Sequence, residues 1–233
     1  MTSSEQLGAE QENLHFVLEA LQLADVKVAK TDLLKILAGW KDKAAEYPGY
    51  RVVGQALLML ATVESGKSIE VIDPWLTHSS EKIREDATAA KVLAMGLEDP
   101  TAFAWNRLES VGWEGMTDPQ KHVIAVKMMI AEVENGGFSQ YFVNGSGDNW
   151  RDAVDGLVAI GATADKDLFD QALKLFGPDL PSEDQDLRHE QVAEIANQDE
   201  DLFSVVEGPF YEDKNDREVL LLNYMLNHAD DFR

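Results

Sequence analysis

The chain has 233 residues and no cysteine. That excludes a disulfide framework, a thiolate nucleophile and a cysteine-ligated zinc. Long apolar runs are also missing. The longest nearly apolar stretch, Ala56–Val63, falls far short of the ~20 residues a membrane-spanning helix needs. The opening, Met1–Gln11, is polar and acidic, without the basic start and apolar core of a secretory signal. The expectation is a reducing, cytoplasmic setting with no membrane contact. No stretch alternates polar and apolar residues between hairpin turns, so no sheet is expected. The histidines, His15, His78, His122, His189 and His228, never fall three or four residues apart. No HExxH pair, calcium loop or strand-borne phosphate loop occurs. These absences predict a non-enzymatic protein with no metal and no cofactor.

Positive charge is scarce. Lys+Arg number 20 against 43 Asp+Glu, a net charge of −23. Such a charge repels nucleic acid and anionic membranes and favours basic partners. It is unevenly spread. Residues 1–100 hold 10 Lys+Arg and 16 Asp+Glu, net −6; residues 101–233 hold 10 and 27, net −17. Within the second part, residues 163–233 hold 6 and 19, net −13.

What the chain does have is helical periodicity nearly throughout. Leu14, Val17, Leu18 and Leu21 recur at i, i+3, i+4 and i+7. Thr31 is placed to cap a helix carrying Leu33, Ile36, Leu37 and Trp40. Residues 31–63 and 68–98 read as two helical hairpins, weakly similar to HEAT-type repeats. Asp99-Pro100 marks the division between a repeat-like region, 1–100, and an acidic all-helical region, 101–233. Thr117-Asp118-Pro119-Gln120 is a capping-box start. Asn135-Gly136-Gly137 ends that helix, and later helices are expected over 149–160, 165–176, 183–198, 199–207 and 215–229. Gly177-Pro178 and Gly208-Pro209 read as punctuation. The fold class is all-α, with hairpins stacked on a C-terminal helical domain.

The segment from Glu132 to Asp148 is the most unusual. In one reading Asn135, Asn144 and Asp148 cap helix ends while Phe138 and Phe142 anchor the core. In the other, Asn135, Gln140, Asn144 and Asp148 line a polar pocket. Further on, Glu183, Asp186, Glu190 and Glu194 recur at steps of 3, 4 and 4. Helical neighbours at that spacing lie about 5–6 Å apart, the scale of phosphates along a DNA strand, one per ~3.4 Å of axis. Asp199, Glu200, Asp201, Glu207, Glu212, Asp213 and Asp216 extend this field. An ordinary solvated face is the alternative.

Asn135-Gly136-Gly137-Phe138, Gln140, Phe142, Asn144 and Gly147-Asp148 resemble the DNA-mimic-protein domain, once catalogued as a domain of unknown function. Ile160-Gly161-Ala162, Phe210-Tyr211, Tyr224, His228 and Phe232 extend the resemblance over roughly 105–233. Position 145 is Gly where that pattern has Ser. The resemblance implies an all-helical fold. For a member that mimics DNA, it implies a dimer whose acidic surface occupies the DNA-binding face of a transcription factor. The motif residues carry over as fold markers. The expected function is an acidic protein-binding module, with a basic, DNA-binding protein as partner and no direct nucleic-acid binding. Alternatives are a scaffold or toxin-neutralising protein using the first 100 residues, and a small-molecule or enzymatic role at Asn135–Asp148.

Overall fold

The computed structural model describes residues 13–63, 66–97, 99–199, 201–212 and 216–233. Met1–Gln11, Glu200 and Asp213 lie outside the described residues. The fold is all-α, and no strand occurs among the described residues. It divides into two compact units, one ending at Asp99 and one starting at Pro100.

The first unit contains α1 (Leu14–Leu23), α2 (Lys30–Trp40), α3 (Gly49–Val63), α4 (Ile69–Ile72) and α5 (Glu81–Ala94). Helix α3 is its centre. Val52, Val53, Ala56, Leu57 and Leu60 are all buried, and α1, α2 and α5 pack around them. The small side chains Ala87, Ala90 and Ala94 let α5 lie close, and all three are buried. Thr31 does not cap α2. The helix starts at Lys30 with Ala29 as its N-cap residue, and the Ala29 carbonyl accepts the N–H of Asp32 and of Leu33.

The second unit contains α6 (Pro100–Val111), α7 (Asp118–Val143), α8 (Trp150–Ile160), α9 (Thr163–Lys174), α10 (Gln185–Gln198), α11 (Leu202–Glu212) and α12 (Arg217–Asn227). The capping box at Thr117 forms, with Gln120 Oε1 accepting the Thr117 N–H at 3.1 Å. Helix α8 lies against α7 at Gly156, where a methyl group would stand 2.7 Å from Val126 Cγ2. The core is aromatic. Phe142 stacks on Phe169 with centroids 5.8 Å apart, and Phe138, Tyr141, Phe176, Phe203 and Phe210 complete the cluster. Arg217 grips the buried Asp165 carboxylate with Nε at 3.0 Å and Nη2 at 2.6 Å. Its guanidinium also sits 4.0 Å over the Phe210 ring, which ties α9, α11 and α12 together.

Gly208-Pro209 does not end a helix: α11 runs through it. Proline removes one N–H and leaves the carbonyl four residues back without its helical partner. Here that residue is Val205, which lies on the exposed side of the helix. Buried Phe203, Val206 and Phe210 hold the helix on both sides of the proline.

Candidate functional site

Helix α7 breaks at the two glycines. Gly136 has φ −161° and Gly137 has φ +81° with ψ 179°, a conformation that costs a side-chain-bearing residue about 1–3 kcal/mol. Such a break frees backbone groups on both sides, which must find partners. Helix α11 supplies two of them. Glu207 Oε1 accepts the Phe138 N–H at 2.8 Å, and the Tyr211 hydroxyl donates to the Val133 carbonyl at 2.6 Å. Glu207 and Tyr211 are one turn apart, so they share a helix face. Glycine is needed at 137 twice over, because a methyl group there would also collide with the Glu207 carboxylate.

The expected pocket of Asn135, Gln140, Asn144 and Asp148 does not form as a unit. Gln140 and Asn144 instead converge on Glu132. Its carboxylate accepts Gln140 Nε2 at 2.6 Å, Asn144 Nδ2 at 2.9 Å and Ser146 Oγ at 3.2 Å. Burial pushes this carboxyl up, but the hydrogen bonds from Gln140, Asn144 and Ser146 prevail and hold it below the usual carboxylate range. Asn135 is exposed at the break. Asp148 does not cap α8, whose N-cap residue is Asn149. Its carboxylate pairs instead with Arg188 of α10, because that guanidinium enters the turn and faces it.

Arg188 escaped notice in the sequence, where it is a lone cation among carboxylates. It is fully buried and spends all of its donors. Nε bonds the Phe142 carbonyl at 2.6 Å; Nη1 bonds the carbonyls of Ser182 and Glu183 at 2.7 and 3.4 Å. Nη2 bonds the Asn144 carbonyl at 3.4 Å and the Asp148 carboxylate. Gly147 leaves room for it: a methyl group there would stand 2.9 Å from Arg188 Nε. Gln185 Nε2 and His189 Nε2, one turn apart on α10, both reach the Val143 carbonyl, at 2.9 and 2.5 Å. The glycine-rich turn and the acidic helix are therefore one rigid assembly.

The opposite face of α10 carries the acid. Asp186, Glu190 and Glu194 are exposed, while Arg188, Val192 and Ile195 are buried. Among the described residues these three carboxylates form no ion pair. Glu183 departs from the expected row of four. Asp184 caps α10 by accepting the Leu187 N–H at 3.1 Å, so Glu183 precedes the helix, and it lies 3.4 Å from Arg151 Nε. Asp199 ends α10, and its carboxylate accepts the Asp201 N–H at 3.0 Å. Asp201 and Glu212 are exposed, and Asp216 is half-buried ahead of α12. A shallow groove of about 360 Å³ runs beside the row, with Glu190 and Glu194 on its wall and the exposed Leu187 in it.

The remaining motif residues serve the core. Gly161 takes the left-handed conformation that closes α8. Phe210 and Phe232 are buried. The Tyr224 hydroxyl meets His122 Nδ1 at 2.8 Å, and its carbonyl meets His228 Nδ1 at 2.9 Å. No helix among the described residues is long and apolar enough to cross a membrane. No curated protein and no solved structure matches the chain. Residues 114–228, within the second unit, match the family model described as DMP19-like protein, the DNA-mimic family that the turn motif resembles.

Proposed function

We propose that the second unit is a non-enzymatic, acidic protein-binding module that occupies the DNA-binding surface of a basic protein such as a transcription factor. The observation that carries this reading is the row Asp186, Glu190 and Glu194, exposed on one face of α10 while Arg188 fixes the other. A helix held in place loses little backbone entropy on binding, and the carboxylates it presents can stand in for phosphates. Glu183, Asp199, Asp201, Glu212 and Asp216 add further carboxylates to the unit, and a homodimer would double the row. The net −17 of residues 101–233 disfavours nucleic acid as a direct ligand. Cytoplasmic residence follows from this reading, since DNA-binding partners are met there.

Capture from lysate on the immobilised full chain tests it. Low salt should retain a basic, DNA-binding protein, and raised salt should release it. Duplex DNA should compete with the chain for it, and the combined variant Asp186→Asn, Glu190→Gln, Glu194→Gln should retain less. If no basic protein is held at low salt, or if DNA and the chain bind the captured protein at once, the reading fails.

A further inference from the structure

The first unit contains a polar cleft of about 260 Å³, below the ~300–1,000 Å³ typical of pockets for drug-sized ligands. Three helices line it. His15 and Glu19 come from α1, one turn apart; Tyr50 and Arg51 from the start of α3; Lys82 and Asp86 from α5, again one turn apart. Both charge signs therefore face one small space.

Three features separate this cleft from ordinary surface. His15 is only 3% exposed, and its Nδ1 has no hydrogen-bond partner among the described residues. A buried polar atom left unpaired costs about 1–3 kcal/mol, and native structures keep few of them. Asp86 sits where charge is penalised. Burial first, then Glu85, pushes its carboxyl up to about 6, although Arg51 and Lys82 pull the other way. Gly54 has no side chain, and a methyl group there would collide with the Asp86 carboxyl. The ion pair between Arg51 Nη2 and Glu19 Oε2 across the cleft is weak, at 4.0 Å with both side chains about half exposed.

We propose that this cleft binds a small zwitterion of the free amino-acid class, its ammonium group on Asp86 and Glu19 and its carboxylate on Arg51 and Lys82. A simple anion would meet the carboxylates Glu19, Glu85 and Asp86, and a simple cation would meet Arg51 and Lys82. A ligand with both groups places opposite charge on Asp86, Glu19, Arg51 and Lys82 together, and sits beside the His15 ring. Binding would also give the Asp86 carboxylate the countercharge that its burial demands.

The test titrates the full chain with a panel of free L-amino acids at millimolar concentration, following the His15 ring resonances by NMR. Capped counterparts, N-acetylated and amidated, serve as the uncharged controls. At least one free amino acid should shift His15, and its capped form should not. Asp86→Asn and Arg51→Gln should each weaken that binding by about tenfold or more. Asp86→Asn removes a buried charge, so its loss of binding is not a loss of folding. The proposal is overturned if no free amino acid shifts His15, if capped forms bind equally, or if both variants bind as the parent does.

Discussion

Arg188 shows how much one side chain can fix. Its guanidinium joins the turn at 142–148 to the segment 182–183 and to α10, entirely out of water. Arg188→Met strands those carbonyls, and breaking such a buried cluster costs about 3–5 kcal/mol. Urea unfolding should show that loss. Arg188→Lys should recover little, since a point charge cannot reproduce the planar fork. Asp86 makes the opposite case. Its carboxyl is raised from 3.8 to about 6 in the folded chain, so the unfolded chain ionises first. Stability is unaffected by this group below pH 3.8, falls as pH climbs to about 6, and stays lowered above it. Asp86→Asn should therefore stabilise the protein at pH 7, by on the order of 1–3 kcal/mol at about 1.4 kcal/mol per pKa unit, and do nothing at pH 3. Thermal melts at the two pH values check this. Neither role was legible in the sequence. Arg188 looks like a surface counter-ion, because the carbonyls it bonds across the fold lie over 40 residues away. Periodicity reports a face, not a distant partner.

At the level of elements, helix existence was legible and helix limits were less so. The all-α class follows from apolar spacing that the core then uses, as at Val52, Ala56 and Leu60. Pro209 misled because its local cost is real, yet Val205 faces water and tertiary packing carries the helix onward. Glu132 was passed over because a glutamate inside a helix usually signals solvent, whereas here the following turn folds back and donates to it. The break in α7 gives a prediction of its own. Gly137→Ala should cost about 1–3 kcal/mol for the strained backbone, and more while Glu207 blocks the methyl group. In a Glu207→Ala background the collision is gone and only the backbone part should remain. A double-mutant cycle by chemical denaturation measures that coupling. Hydrogen exchange at the Phe138 amide should quicken in Glu207→Ala, because its acceptor has been removed.

At the scale of the whole molecule, charge and fold pull apart. A net −23 disfavours compactness through self-repulsion, and salt screens it over a Debye length of about 8–10 Å at physiological strength. Neutralising Asp186, Glu190 and Glu194 should leave stability unchanged or raise it by a few tenths of a kcal/mol per relieved pair. Melting temperature across a salt series measures this, and the variant's dependence should be flatter than the parent's. Stability and partner capture would then move in opposite directions, which marks a surface kept for recognition rather than for folding. The family was legible because its signature is the turn itself, a local string of glycines and amides. The position of the acid was only partly legible, because Glu183 is separated from its expected row by a cap at Asp184.

The bend in α7 also sets a schedule. On a growing chain, Phe138 leaves the ribosome 69 residues ahead of Glu207, the side chain that receives its amide. Val133 waits longer still, until Tyr211 arrives. Through that interval only water can serve the two groups, and the aromatic residues beside them cannot close over the gap. The turn that identifies the domain is thus among the last parts of it to be sealed. A transcript cut short before α11 would leave that stretch, with its phenylalanines, in the hands of chaperones.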